Sequence, residues 1–151
     1  QKSPIIYIPR ANIPVSLRRP TLVIADENRV TKVDDSQRWI ASLDRAVSEI
    51  TGRNLTKQTG LSFELQTPNE DYVVLFIDVE AMFLNAQSTV LQLHYRIEDP
   101  QGKSLRQGQG QWKTKRTENP VDYVIAQSEN FANAAVQISK DIKSLTENKN
   151  P

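Results

Sequence analysis

Tyr72-Val73-Val74-Leu75-Phe76-Ile77-Asp78-Val79-Glu80-Ala81-Met82-Phe83-Leu84 is the stretch on which the fold turns. Val73, Leu75, Ile77, Val79, Ala81 and Phe83 recur at every second position, which predicts a strand with one buried face along its whole length. The opposite face begins apolar with Tyr72, Val74 and Phe76, then turns polar with Asp78 and Glu80. One end of the strand is therefore expected to be covered on both sides, and the other to face water or a partner.

Downstream, Thr89 to Ile97 alternates again, with Leu91, Leu93, Tyr95 and Ile97 on one face and Gln92, His94 and Arg96 on the other. Asp99-Pro100-Gln101-Gly102 has the chemistry of a turn. Leu105 to Thr114 returns as a third strand, where Gly108 and Gly110 mark either a bulge or a close backbone approach. The three strands predict an antiparallel meander. Asn119-Pro120 then opens a helix, because proline at the first helical position gives up a donor that has no partner there anyway. Val121, Val124, Ile125, Ser128, Phe131, Ala132, Ala135, Ile138, Ile142 and Leu145 draw its apolar stripe.

Upstream, Pro4 to Leu17 is apolar and extended. Pro9 and Pro14 each remove a backbone donor, so it reads as an edge strand followed by a turn. Thr21 to Ala25, the turn residues Asp26-Glu27-Asn28, and Arg29 to Val33 read as a hairpin. Asp34, Asp35 or Ser36 can cap a helix whose apolar positions are Trp39, Ile40, Leu43, Ala46, Val47, Ile50 and Leu55. Gly52 weakens its last turns, and Gly60 is placed to end it. Leu61 to Asp71 reads as a loop. The expected fold is α/β: a single domain with a mixed sheet of about five or six strands and two main amphipathic helices, over residues 1–145, followed by a polar tail over 146–151.

Composition limits what such a domain does. A chain of 151 residues that is 38% hydrophobic fills one core. Nineteen basic and eighteen acidic side chains leave a formal charge of +1, and the charges read as well mixed along the chain. No overall field draws in nucleic acid, and the interleaved Trp112-Lys113-Thr114-Lys115-Arg116 and Arg18-Arg19 remain local patches. Cysteine is absent, so disulfides, thiolate metal ligands and thiol nucleophiles are excluded. The longest apolar run is too short to span a bilayer, and the polypeptide as given is expected to be soluble. An exported chain whose signal had been removed would look the same.

No catalytic, metal or cofactor constellation emerges. His94 is the single histidine and sits on a polar strand face without a nucleophile motif; Asp78 and Glu80 have the spacing of a half-exposed strand. A hydrolase built on His94, Asp78 and Glu80 is thus the weakest of the functional readings. Trp39 divides between core packing and an interface.

Read in order, Ile13-Pro14, then Leu17-Arg18-Arg19-Pro20-Thr21-Leu22-Val23, then Gln37-Arg38-Trp39 with Leu43 and Asn54-Leu55, resemble the ABC-type transport auxiliary lipoproteins, the family of the paraquat-inducible protein C component of lipid-trafficking transporters. Val79 to Phe83, the strand Leu91 to Ile97 with Asp99 and Gly102 after it, and the final helix agree with it. The resemblance covers about Ile5 to Leu145 and implies a periplasmic, non-enzymatic domain. Such a domain would be tethered to the outer membrane by a lipidated cysteine that this chain lacks. It would work as a homo-oligomer beside a mammalian-cell-entry (MCE)-type channel protein and an inner-membrane ABC and permease assembly that moves lipid. The family has no catalytic residues to carry over. The candidate interface is Arg18, Arg19, Arg38, Trp39, Trp112 and Lys113, and the competing expectation is a carrier that holds lipid or another small ligand in a pocket of its own.

Overall fold

The computed structural model describes residues 4–14, 23–25, 30–32, 43–84, 87–115 and 120–147. Five strands form one mixed sheet in the order β4-β1-β5-β6-β7: β1 Ile5–Tyr7, β4 Phe63–Glu64, β5 Tyr72–Leu84, β6 Ser88–Glu98 and β7 Ser104–Lys115. β4, β1 and β5 run parallel, while β5, β6 and β7 form the expected antiparallel meander. β2 Val23–Ala25 and β3 Val30–Lys32 pair as the predicted hairpin. Two helices, α1 Leu43–Thr59 and α2 Pro120–Glu147, complete the α/β domain.

Among the described residues, a core cluster joins both helices to one face of the sheet. Leu75, Ile77, Leu91, Leu93, Tyr95 and Ile97 from the strands meet Val47 and Leu55 of α1 and Phe131, Ile138 and Ile142 of α2. The period-two pattern of β5 and β6 places these side chains, and burying them supplies most of the driving force for the layer packing. α1 ends as the sequence dictates: Gly60, at φ 77°, donates its amide to the Thr56 carbonyl. The β6–β7 turn also follows its residues. Asp99 Oδ1 accepts from the amides of Gln101 and Lys103, and Gly102 adopts φ 88°.

Four features differ from the sequence reading, each for a local reason. β1 is an interior strand, because Pro9 and Pro14 lie beyond its three paired residues and cost no ladder bond. The segment read as a loop contains β4, which receives β1 through Ile6 N–H to the Ser62 carbonyl and Ile8 N–H to the Glu64 carbonyl, both 2.9 Å. The β5–β6 register shifts between Val79 and Ala81, so Glu80 is an extra residue and Met82, not Ala81 or Phe83, continues the buried face. On α2, Phe131, Ala135, Ile138 and Ile142 of the expected stripe are buried, but Ile125 is 54% exposed and Ala126, Gln127, Asn130 and Ala134 are buried as well. The side chains of residues 121–124 lie outside the described residues, as do Asn119 and the first turn proposed for α1 with Trp39 and Ile40.

Gly52 has a role other than the weakening read from sequence. A Cβ there would lie 2.3 Å from the Phe63 ring, so the glycine lets β4 close on α1. Alanine in a helix interior ordinarily gains about 1 kcal/mol over glycine. Gly52→Ala is expected to reverse that sign and lower the urea midpoint, and a gain in stability would refute the close approach.

Candidate functional site

With both helices on one face, the other face of the sheet carries buried Val74 and Val90 and the part-buried ring of Phe76 together with a set of polar side chains. The strand registers line up Asn12, Asp78, His94 and Gln109 as one row across four neighbouring stretches of chain. His94 Nδ1 stands 3.6 Å from Asp78 Oδ2, with both side chains part-exposed. The next row sets Phe76, Arg96 and Gln107 side by side, and the Arg96 guanidinium lies 4.6 Å above the Phe76 ring while its Nε donates to Glu98. Gln107, Gln109, Gln111, Lys113 and Lys115 of β7 are all exposed on this side. A shallow hollow beside the rows is lined by Asn12, Ile13, Pro14, Asp78, Val79, Glu80 and His94.

This arrangement brings together Asp78, Glu80 and His94, the three residues of the hydrolase reading, in one lining. Asp78 stands beside His94 as a counter-charge, and among the described residues the lining offers no hydroxyl or thiol. Among the described residues no three His, Cys, Asp or Glu side chains converge as metal ligands. What the face does offer is a broad array of donors and acceptors on a rigid sheet.

The sequence reading missed the polar cluster that fixes α2 to the meander. Tyr95, 1% exposed, donates its hydroxyl proton to Asp141 Oδ2 on α2 and accepts from Gln137 Nε2 at 3.2 Å. Arg106 of β7 reaches the other oxygen of Asp141 at 3.3 Å and Ser144 Oγ at 3.4 Å. A buried phenol needs such a partner, and that need is the only signal the sequence held. One helical turn and more away, Gln127 Nε2 donates to the Val90 carbonyl and Asn130 Nδ2 to the Thr89 carbonyl, both amides fully buried. Gly108 and Gly110 resolve as close approaches: a Cβ would lie 2.4 Å from the Tyr95 ring at the first and 2.8 Å from the Trp112 ring at the second.

Burial, and then the hydrogen bond to Asp141, push the Tyr95 phenol up from 10.0 to about 12. The folded state thus holds this proton more tightly than the unfolded chain. Its contribution to stability is whole below about pH 10 and is lost as pH rises through about 12. Urea titrations across that window should show a steeper alkaline loss for the wild type than for Tyr95→Phe. Parallel curves would contradict the assignment.

Of the candidate interface residues, Trp112 and Lys113 point to opposite sides of β7. Trp112 packs half-buried against the core, and Lys113 is exposed. Arg18, Arg19, Arg38 and Trp39 lie outside the described residues.

Comparison with known proteins bears on this fold directly. A family model described as ABC-type transport auxiliary lipoprotein component matches residues 1–139. No curated protein sequence gives a significant match. Among solved structures, the chain is similar to an uncharacterized protein with a TM-score of 0.79 at 16% identity, covering 92% of each chain. It is also similar to a protein from Xanthomonas campestris, with a TM-score of 0.73 at 8% identity over 96% of this chain and 88% of that one. A third similarity is to PelC from Paraburkholderia phytofirmans, described as a dodecamer, with a TM-score of 0.54 at 13% identity over 91% of this chain and 85% of that one. At these identities the structures speak for the fold alone.

Proposed function

The chain belongs to the ABC-type transport auxiliary lipoprotein family, and from that premise we propose that it is a non-enzymatic docking subunit of an envelope lipid transporter. The family consists of lipoprotein components of transport systems, hence of membrane-anchored, extracytoplasmic proteins. In this reading the chain is held at the periplasmic side of the outer membrane, assembles with further copies of itself, and grips an MCE-type channel protein. The ABC and permease subunits of the inner membrane then supply the energy, and lipid passes through the assembly.

One observation carries the reading: a five-stranded sheet sheathed by helices on one face presents aligned cross-strand rows of polar side chains on the other. Polar, laterally extended surfaces of this kind suit subunit contacts, where hydrogen bonds set register. PelC, whose fold is similar, has been crystallised as a dodecamer, which supports assembly as a habit of the fold. Arg18, Arg19, Arg38, Trp39, Trp112 and Lys113 are proposed contacts in that assembly.

The carrier reading gains less support. The hollow between α1 and the β1–β4 side, lined by Ile8, Arg10, Arg45, Ser48, Leu65 and Gln66, measures about 150 Å³, and the open hollow beside Asp78 and His94 about 530 Å³. Small-ligand sites run to roughly 300–1,000 Å³. The first falls below that range and has two arginines among its six lining residues. The second has the size but is shallow and open, with Asp78, Glu80 and His94 in its wall, which does not suit a lipid tail.

Light scattering and native mass spectrometry test the two readings together. A docking subunit should appear as a multiple of 17.1 kDa and carry no lipid. A monomer at high concentration with a retained lipid would overturn the proposal.

A further inference from the structure

We propose that the two edges of the five-stranded sheet are made for each other, the basic β7 edge of one copy receiving the acidic β4 edge of the next. This rests on the reading that copies assemble, and adds which surfaces meet.

The first ground is charge. Although the total is +1, the charges are sorted rather than mixed as the sequence reading had them. Residues 58–93 carry Glu64, Glu70, Asp71, Asp78 and Glu80 and no cationic side chain, while residues 100–117 carry Lys103, Arg106, Lys113, Lys115 and Arg116 and no carboxylate. The fold then places Glu64 of the first block on the β4 edge, with Arg10 and Arg45 in the hollow beside it, and Arg106, Lys113 and Lys115 of the second on β7 with Lys103 just before it. The acid at one edge is thus local to Glu64, and the far edge is basic. Lys103, Lys113 and Lys115 are exposed, as are Glu64 and Asp71. Arg106 is engaged with Asp141 and adds less.

The second ground is the ladder. β7 closes one end of the strand order and β4 the other, so each has one side with no strand beside it among the described residues. β7 is twelve residues long without a proline, although Leu105 is inserted as a bulge between Ser104 and Arg106 and β4 offers only two residues. The lysines of β7 discourage pairing with any edge that brings no carboxylate. β4 and β7 run in the same direction, since two antiparallel steps separate β7 from β5. A sideways repeat of the molecule therefore joins them as a parallel ladder.

The third ground is register. Glu64, Tyr7, Val74, Glu98 and Ser104 form one rung across the whole sheet. A neighbour repeated at the same level brings its Glu64 beside Ser104 and the adjoining Lys103. Pairing like edges instead would face cation against cation or carboxylate against carboxylate, which is repulsive within a Debye length of about 8 Å. Unlike edges make a head-to-tail contact, and such contacts repeat until a ring closes.

Charge reversal tests this. One variant carries Lys103→Glu, Lys113→Glu and Lys115→Glu; the other carries Glu64→Lys and Asp71→Lys. All five sites are exposed, and circular dichroism melts confirm folding. If a multiple variant fails to fold, Lys103→Glu and Glu64→Lys alone serve the same purpose. Each variant by itself should fall to the 17.1 kDa monomer in light scattering, and mixing the two should restore the wild-type mass, because both edge pairings in the mixture are again between opposite charges. Wild-type-sized assemblies from either variant alone would overturn the edge pairing while leaving assembly intact, and so would a mixture that stays monomeric. A wild-type protein that is itself monomeric would overturn assembly, and the pairing with it.

Discussion

Tyr95→Ala is expected to lower the unfolding free energy by about 3–5 kcal/mol, the cost of emptying a buried aromatic site. The ring is 1% exposed and fills the space between β6, Gly108 and α2. Its loss leaves a cavity and also strips Asp141 and Gln137 of a partner, so Arg106 alone is left to neutralise a part-buried carboxylate. Tyr95→Phe keeps the ring and removes only the hydroxyl, and should cost about 1–2 kcal/mol. Chemical denaturation of the two variants separates packing from the hydrogen bond. Equal losses would mean that the polar cluster, not the ring, fixes α2 to the sheet.

Gly108→Val should be the next most damaging change, by about 3 kcal/mol, although valine ordinarily improves a strand. The reason is geometric. A Cβ at Gly108 would lie 2.4 Å from the Tyr95 ring, which Asp141 and Gln137 hold from the other side and cannot release cheaply. The double change Gly108→Ala with Tyr95→Leu should cost less than the sum of its two single changes, since the smaller side chain makes room for the new methyl. Additive losses would show that Gly108 is required for another reason.

These two sites also show where the sequence could be read and where it could not. The long strands of the meander and both helices follow from periodicity, because each buries one continuous apolar face and the pattern records that burial directly. The exceptions are places where one residue changes the phase. Glu80 is inserted as a bulge, so an alternation that looks unbroken from Val73 to Phe83 in fact changes sides before Met82. Ile125 is exposed while Gln127 and Asn130 are fully buried, since the Val90 and Thr89 carbonyls accept from their side-chain NH2 groups and offset part of the cost of burial. β4 has only two paired residues, too few to leave a period.

The candidate site divides in the same way. Asp78 and His94 were legible on the outward sides of two alternating strands, although their alignment with each other and with Gln109 of β7 needed the registers. Tyr95 was legible as a core residue, but its partner Asp141 lies 46 positions away on a helix whose rotation the sequence did not fix. The sorting of charge was present in the sequence all along. It is hidden when the charges are summed, because two blocks of five cancel, and it acquires meaning only once the strand order puts Glu64 and the basic block at opposite edges.

Docking, rather than catalysis or carriage, is tested most directly by gentle detergent extraction of the protein from its own envelope after brief crosslinking, followed by native mass measurement of what comes with it. A docking subunit predicts several copies of this chain in one particle with an MCE-type channel protein and the ABC and permease subunits. A single copy released alone, with a lipid molecule bound to it and none of those subunits attached, would contradict it.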